Sequence, residues 1–175
     1  MSVNGHPRRP AYEHGRRRHG PMKVKDVMGH VAIAVVADAS FADILAALRR
    51  FKVGAVAVVD GDRRVLGVVS EDDLLLREID PDRPDGPPPL SPRRREERRK
   101  ATGTTAGEIM TRPAITVTRE TPVSEAARLM HDHRIKQLPV VNPENGRIVG
   151  TVHQSDLLKV LAARRDEEAP AGEPR

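Results

Sequence analysis

The sequence predicts a mixed α/β (α+β) module made of two copies of one β-α-β-β-α unit packed against each other. Three observations predict it. First, the chain repeats itself. Val24-Lys25-Asp26-Val27-Met28 returns as Ala106-Gly107-Glu108-Ile109-Met110, and Val56-Ala57-Val58-Val59-Asp60 returns as Leu138-Pro139-Val140-Val141-Asn142. Gly67-Val68-Val69-Ser70-Glu71-Asp72-Asp73-Leu74-Leu75 returns as Gly150-Thr151-Val152-His153-Gln154-Ser155-Asp156-Leu157-Leu158. Met28 and Met110 stand 82 positions apart (110 − 28) and Gly67 and Gly150 stand 83 apart (150 − 67), so one residue is inserted between Asn142 and Gly150. Second, apolar runs of strand length alternate in both copies with apolar residues at helical spacing. Third, with 2% aromatics and no Trp, the core must come from Val, Leu, Ile and Ala, which suit strands and helices respectively.

The elements follow in order. Ala32–Val36 reads as a short buried strand. Ser40 is an N-cap for a helix carrying Phe41, Ile44, Leu45, Leu48 and Phe51 on one face. Ala55–Val59 is a strand, Asp60-Gly61-Asp62 a turn, and Arg64–Val69 the returning strand. Ser70 then caps a helix through Leu74, Leu75 and Leu76. In the second copy, a short helix is expected over Ala106–Met110 and a strand over Ala114–Val117. Thr121 is expected to cap a helix with Pro122 at its first position and Glu125 in its first turn, and with Val123, Ala126, Ala127 and Met130 on its buried face. Strands at Leu138–Val141 and Ile148–Val152 flank the Asn142–Gly146 turn, and a last helix starts near Gln154.

The domain boundaries expected from composition are a basic, disordered tail over 1–21, the first repeat over 22–79, a Pro-rich and charged linker over 80–103, the second repeat over 104–163 and a disordered tail over 164–175. Within the linker, Pro92–Lys100 is charged all round and reads as a solvated helix or a disordered basic segment. Cysteine is absent, which excludes disulfides, thiolate metal sites and thiol catalysis and is compatible with a reducing cytoplasm, the expected location. No apolar run approaches the about 20 residues of a membrane span, and no secretory signal is visible.

Together these pieces resemble a tandem pair of CBS (cystathionine-β-synthase) domains. The resemblance rests on Asp26-Val27-Met28 and Glu108-Ile109-Met110, Pro122-Val123-Ser124-Glu125-Ala126, the run His133-Arg134-Ile135-Lys136-Gln137-Leu138-Pro139-Val140-Val141, and the two Gly-x-Val…Asp-Leu-Leu endings. It implies a pseudo-twofold pair of repeats that assembles into a disc-shaped homodimer. It also implies a regulatory, energy-sensing module, not an enzyme, that binds an adenosine-type ligand (AMP, ADP, ATP or S-adenosylmethionine) between the repeats and signals to a separate protein partner.

The seam between two repeats is a natural ligand site. Ser70-x-x-Asp73 places a hydroxyl at a helix N-terminus, suited to phosphate, and a carboxylate one turn later, suited to the two ribose hydroxyls. By the resemblance, Asp73 holds the ribose and the base rests near Thr121, Ala126, Ile135 and Lys136. The equivalent second cleft uses Asp156 for the ribose, with Ala39, Ile44, Val53 and Gly54 around the base. It departs from the pattern: His153 stands for Ser or Thr, Ala39 for the hydroxyl of Thr121, and Ile44 is bulkier than Ala126. The second cleft is therefore expected to be the weaker, with His153 offering a pH-dependent phosphate contact. Ser70-x-x-Asp73 is equally an ordinary helix-capping pattern.

Other constellations carry less. His131-Asp132-His133 resembles a metal trio, but residues i and i+2 of a helix point to different faces, so no metal site is expected. Thirty Lys and Arg against twenty-five Asp and Glu give a net charge of +5, and Arg16-Arg17-Arg18 and Arg93-Arg94-Arg95 could meet phosphate backbones. No DNA-reading motif is visible, and no aromatics stand among the linker arginines to stack on bases. No phosphate-binding Gly loop or nucleophile–base set is visible either. A ligand-free dimeric scaffold and a basic nucleic-acid-associated protein remain the competing readings.

Overall fold

A computed structural model of the chain describes residues 21–79, Pro92 and residues 104–168. The expected basic tail up to residue 20, the linker apart from Pro92, and residues 169–175 lie outside the described residues. The first repeat runs from a 3-10 turn, Val24–Asp26, through β1 (Ala34–Val36), α1 (Phe41–Phe51), β2 (Ala55–Val59), β3 (Val65–Ser70) and α2 (Glu71–Ile79). The second has α3 (Ala106–Ile109), α4 (Val123–His133), β4 (Gln137–Val141), β5 (Ile148–His153) and α5 (Gln154–Glu168).

The strands form a three-stranded sheet, β1-β2-β3, and a two-stranded sheet, β4-β5. β1 pairs parallel to β2, and the two hairpins β2-β3 and β4-β5 are antiparallel, as the turn residues between them require. Each hairpin carries a register shift at an equivalent place, between Val58 and Val59 and between Val140 and Val141. The inserted residue lies in the second hairpin's turn. The Asp60 N–H donates to the Arg64 carbonyl at 3.0 Å, whereas the Asn142 N–H reaches one residue further, to the Arg147 carbonyl at 2.9 Å.

Helix ends are closed as the side chains allow. The Ser40 hydroxyl accepts from the Asp43 N–H at 3.2 Å and the Asp43 carboxylate accepts from the Ser40 N–H at 3.0 Å, a reciprocal cap for α1. The Ser40 hydroxyl and amide hold the Asp43 carboxyl below its usual pKa. α1 and α4 both end in a left-handed residue, Lys52 (φ 52°) and Arg134 (φ 55°), where glycine is the usual choice.

The first and second repeats are related by a pseudo-twofold axis, and the backbone bonds across it come in matched pairs. Val65 donates to the Gly146 carbonyl at 3.3 Å and Ile148 to the Arg63 carbonyl at 3.0 Å. Val24 donates to the Thr121 carbonyl at 2.8 Å and Ala106 to the Ala39 carbonyl at 2.9 Å. The last pair exposes an exchange. Val24 and Met28 pack with Val117, Ala126, Met130, Leu138, Val140, Val152 and Leu157, in the core of the second repeat. Ala106, Ile109 and Met110 pack with Ile44, Leu48, Val56, Val58, Val69 and Leu74, in the core of the first. Each repeat's opening segment therefore completes the core of the other. Ala57, Val59 and Ile148 form a smaller cluster joining the two.

Two glycines admit the exchanged segments. A Cβ built on Gly67 would lie 2.6 Å from Met110 Sδ and 2.7 Å from the Thr111 carbonyl, and one on Gly150 would collide with Met28 Cε and the Gly29 carbonyl. One ionic link lacks a counterpart. The Glu120 carboxylate takes the ammonium groups of both Lys23 and Lys25, the latter at 2.8 Å. The equivalent positions in the other half are Asp38, Thr105 and Gly107, which offer no cation.

Four expectations are corrected. β1 spans only Ala34–Val36, not Ala32–Val36. The strand expected over Ala114–Val117 is reduced to a single parallel bridge, Val117 to Val140. The reason is Pro139: in the first repeat Ala57, its equivalent, donates its N–H to the Ile33 carbonyl at 3.2 Å, and proline has no N–H to offer Ile115. Thr121 does not cap α4. Its hydroxyl accepts from the Thr118 N–H at 3.0 Å, and Pro122 occupies the cap position instead. Finally, α5 continues past Ala163 to Glu168, through Arg164 and Arg165, both good helix formers.

Candidate functional site

Ser70 is the last residue of β3 and Glu71 the first of α2, so the strand delivers Ser70 directly to a helix N-terminus. The Asp73 carboxylate accepts from the Ser70 N–H at 2.8 Å and from the Ser70 hydroxyl at 2.9 Å. The Asp73 N–H returns to the Ser70 hydroxyl at 3.4 Å. The geometry repeats that of Ser40 and Asp43, so the motif is a working cap. What differs is its setting. Ser70 and Asp73 are half-buried and line a cleft of about 340 Å3, within the size range of small-ligand sites.

The cleft lies between the repeats. On one side stand Gly54, Ala55, Val68, Ser70 and the carboxylates Glu71, Asp72 and Asp73. On the other stand Thr111, Pro113, Ala114, Ile115, the run Arg134-Ile135-Lys136-Gln137, and His153. The two sides are tied by the paired backbone bonds of Val68 and Thr111, at 3.1 and 2.9 Å, and by the Gln137 side chain. Gln137 Nε2 donates to the Ala55 carbonyl at 2.9 Å, and the equivalent bonds Glu71 N–H to Gly54 O (3.0 Å) and Gln154 N–H to Lys136 O (2.8 Å) anchor α2 and α5. Its apolar walls suit a flat ring, and its polar ends carry opposite charge. Arg134, Ile135 and Lys136 also border a more open depression of about 590 Å3 that includes His131, Asp132 and Gln154.

Of the residues expected around the first cleft, Ser70, Asp73, Ile135 and Lys136 are brought together. Thr121 and Ala126 are not. Ala126 is fully buried beside Val24 and Met28 on the inner face of α4 and does not line the cleft. Thr121 is occupied by Thr118.

Of the residues expected around the second cleft, Gly54 and His153 line the first cleft. Ile44 is fully buried, and Ala39 and Val53 pack against the same core. Asp156 accepts from the His153 N–H at 3.1 Å and lies 3.5 Å from Lys159 Nζ. Sequence reasoning missed Glu71 and Asp72, the unassigned positions inside Ser70-x-x-Asp73, and Arg134, next to Ile135. It also missed Pro113, which it left unassigned, and Ala114 and Ile115, which it read as the start of a strand. Among the described residues, no group of three His, Cys, Asp or Glu is arranged to hold a metal ion. Nor is any described helix long and apolar enough to cross a membrane.

Residues 24–80 and 106–163 each match the CBS domain family. The chain belongs to the CBS domain family, as a tandem pair. An uncharacterised protein of Methanocaldococcus jannaschii is 28% identical over 155 residues, 80% of this chain and 91% of its own length. An uncharacterised protein of Methanopyrus kandleri is 30% identical over 124 residues, 69% of this chain, and the matched stretch spans 55% of that protein's length. Among solved structures, CBSX2 of Arabidopsis thaliana in complex with AMP superposes with a TM-score of 0.64 at 25% identity, over 82% of this chain and 98% of that one. The cytosolic domain of the Mg2+ channel MgtE in complex with ATP gives 0.58 at 29% identity, over 79% of this chain and 48% of that one. The shared CBS architecture is what brings the end of β3 and the segment after α4 to one cleft.

Proposed function

We propose that this CBS pair is a regulatory sensor that binds an adenosine nucleotide or adenosyl metabolite in the Ser70/Asp73 cleft and signals to a separate partner. The observation that carries the reading is the cleft itself: a hydroxyl and carboxylate from the first repeat face Ile135 and Lys136 of the second across apolar walls. Asp73 grips the ribose hydroxyls, Ile135 packs on the base, and Lys136 meets phosphate. The AMP complex of CBSX2 and the ATP complex of MgtE support this ligand class. A ligand touching both repeats favours one angle between them, and so changes what a partner can dock on. The module acts in the cytoplasm and catalyses nothing.

The sensor is a homodimer. Leu75 on α2 and Leu158 on α5 hold equivalent positions in the two repeats, and both are exposed, at 56% and 58%. Exposed apolar side chains at pseudo-symmetric positions suit pairing with a second copy of the chain. The scaffold reading draws on the cap: Ser40 and Asp43 form the same motif without lining this cleft.

The test uses that duplication. Thermal unfolding of wild type, Asp73→Ala and Asp43→Ala is measured with AMP, ADP, ATP and S-adenosylmethionine. A ligand at 100 times its dissociation constant adds about 2.7 kcal/mol of apparent stability. Both variants lose a cap, and only Asp73→Ala loses the ligand-induced shift. No shift of wild type with any compound sinks the sensor and leaves the scaffold.

A further inference from the structure

We infer that the cleft is built for a single phosphate, so that it prefers a nucleoside monophosphate to the triphosphate. The inference rests on the adenosyl-ligand reading and deepens it. The ionisable groups lining the cleft are Glu71, Asp72 and Asp73 on one side and Arg134, Lys136 and His153 on the other. A ribose held at Asp73 leaves its 5′ substituent a choice of two directions. Toward the start of α2, Glu71 and Asp72 repel anions and cancel the usual attraction of a helix N-terminus for phosphate. Toward the second repeat, Arg134 and Lys136 supply two fixed cations, matching the charge of one phosphate group near neutral pH. Every further phosphate adds negative charge with no third Lys or Arg among the described residues of the cleft to meet it, while the carboxylates of α2 stand opposite. Repulsion of the wrong ligand is a common source of specificity.

Arg134 holds a left-handed backbone conformation, φ 55°, at the C-cap of α4, as the equivalent Lys52 does at the end of α1 (φ 52°), a place where glycine fits without strain. The turn is common to both repeats; Arg134 alone of the two lines this cleft, where its guanidinium can clamp one phosphate.

The geometry also gives a clean test, because Arg134→Gly relieves the backbone while removing the charge. Affinities of adenosine, AMP, ADP and ATP for the full chain are measured by titration calorimetry, with and without magnesium. Wild type is expected to bind AMP at least about tenfold more tightly than either adenosine or ATP, equivalent to about 1.4 kcal/mol. Arg134→Gly keeps or raises the unfolding midpoint and brings the AMP-to-adenosine ratio toward one. The double variant Glu71→Gln/Asp72→Asn raises ATP affinity by about fivefold relative to AMP. Wild-type binding of ATP within threefold of AMP in either buffer overturns the inference, as does an AMP-to-adenosine ratio unchanged in Arg134→Gly. If adenosine, AMP and ATP all fail to bind wild type, the adenosyl reading fails first and this one falls with it.

Discussion

Gln137 and Ala55 hold equivalent positions in the two repeats, yet the Gln137 side chain donates to the Ala55 carbonyl at 2.9 Å. The pseudo-symmetry is broken beside the candidate cleft, where one side chain of the second repeat ties down the first. Replacing Gln137 by Leu keeps the bulk and removes the bond. Unfolding in urea is expected to show a loss of about 1 kcal/mol, the net value of such a bond. An unchanged midpoint would show that the tie contributes nothing.

Gly67 and Gly150 are the narrow places of the exchanged cores. Gly67→Ala places a Cβ against Met110 and the Thr111 carbonyl, and Gly150→Ala places one against Met28 and the Gly29 carbonyl. Backbone carbonyls cannot swing away, so each substitution is expected to destabilise by about 1–3 kcal/mol. Gly61 has nothing within 4 Å of an added Cβ, and Gly61→Ala in the same urea series stays within about 0.5 kcal/mol of wild type.

Glu120 gives the module a sensitivity to acid. Hydrogen bonds from Lys23 and then Lys25 hold its carboxyl at about 2, against an ordinary 4.5. A carboxyl depressed in the folded state stabilises fully above its ordinary pKa, and that stability is lost as pH falls through the folded one. The window is therefore from about pH 4.5 down to about 2. In Glu120→Gln, the unfolding midpoint should depend less steeply on pH across that window. The Glu120 side chain is 59% exposed, so the difference between the two proteins should shrink in high salt.

Pro139→Ala should return a donor to the position where Ala57 serves the Ile33 carbonyl at 3.2 Å in the first repeat. Hydrogen exchange is expected to find the new amide of residue 139 protected, and the Ala114–Val117 segment drawn closer to a third strand. Stability changes by no more than about 1 kcal/mol, because the gained bond is offset by the freer unfolded chain. An unprotected amide at residue 139 would refute this account of the missing strand.

Much of the fold was legible because periodicity is local. Phe41, Ile44 and Leu48 marked the inner face of α1, and Ser40 and Ser70 marked the starts of α1 and α2. The two hairpins and the place of the inserted residue followed from comparing the repeats. Pattern alone could not say which core an apolar residue enters: Val24 and Ala106 read as part of their own repeats and pack in the opposite ones. Ser70, Asp73, Ile135 and Lys136, expected from the motif and the resemblance, all line the cleft, whereas Ala126 packs inward on α4 as its helical spacing dictates. Ala114 and Ile115 were hidden by an expected strand that Pro139, itself plain in the sequence, prevents.

The exchange of opening segments also bears on ancestry. A chain of one repeat would have an unfilled core and a spare segment of the right shape to fill another's. Two such chains would complete one another only as a pair, each lending its first turn. Joining them end to end would change no contact in either core. The present architecture is thus what gene duplication and fusion would make of an obligate homodimer. Once fused, the two halves were free to diverge, as Pro139 and Ala57, or Arg134 and Lys52, now show.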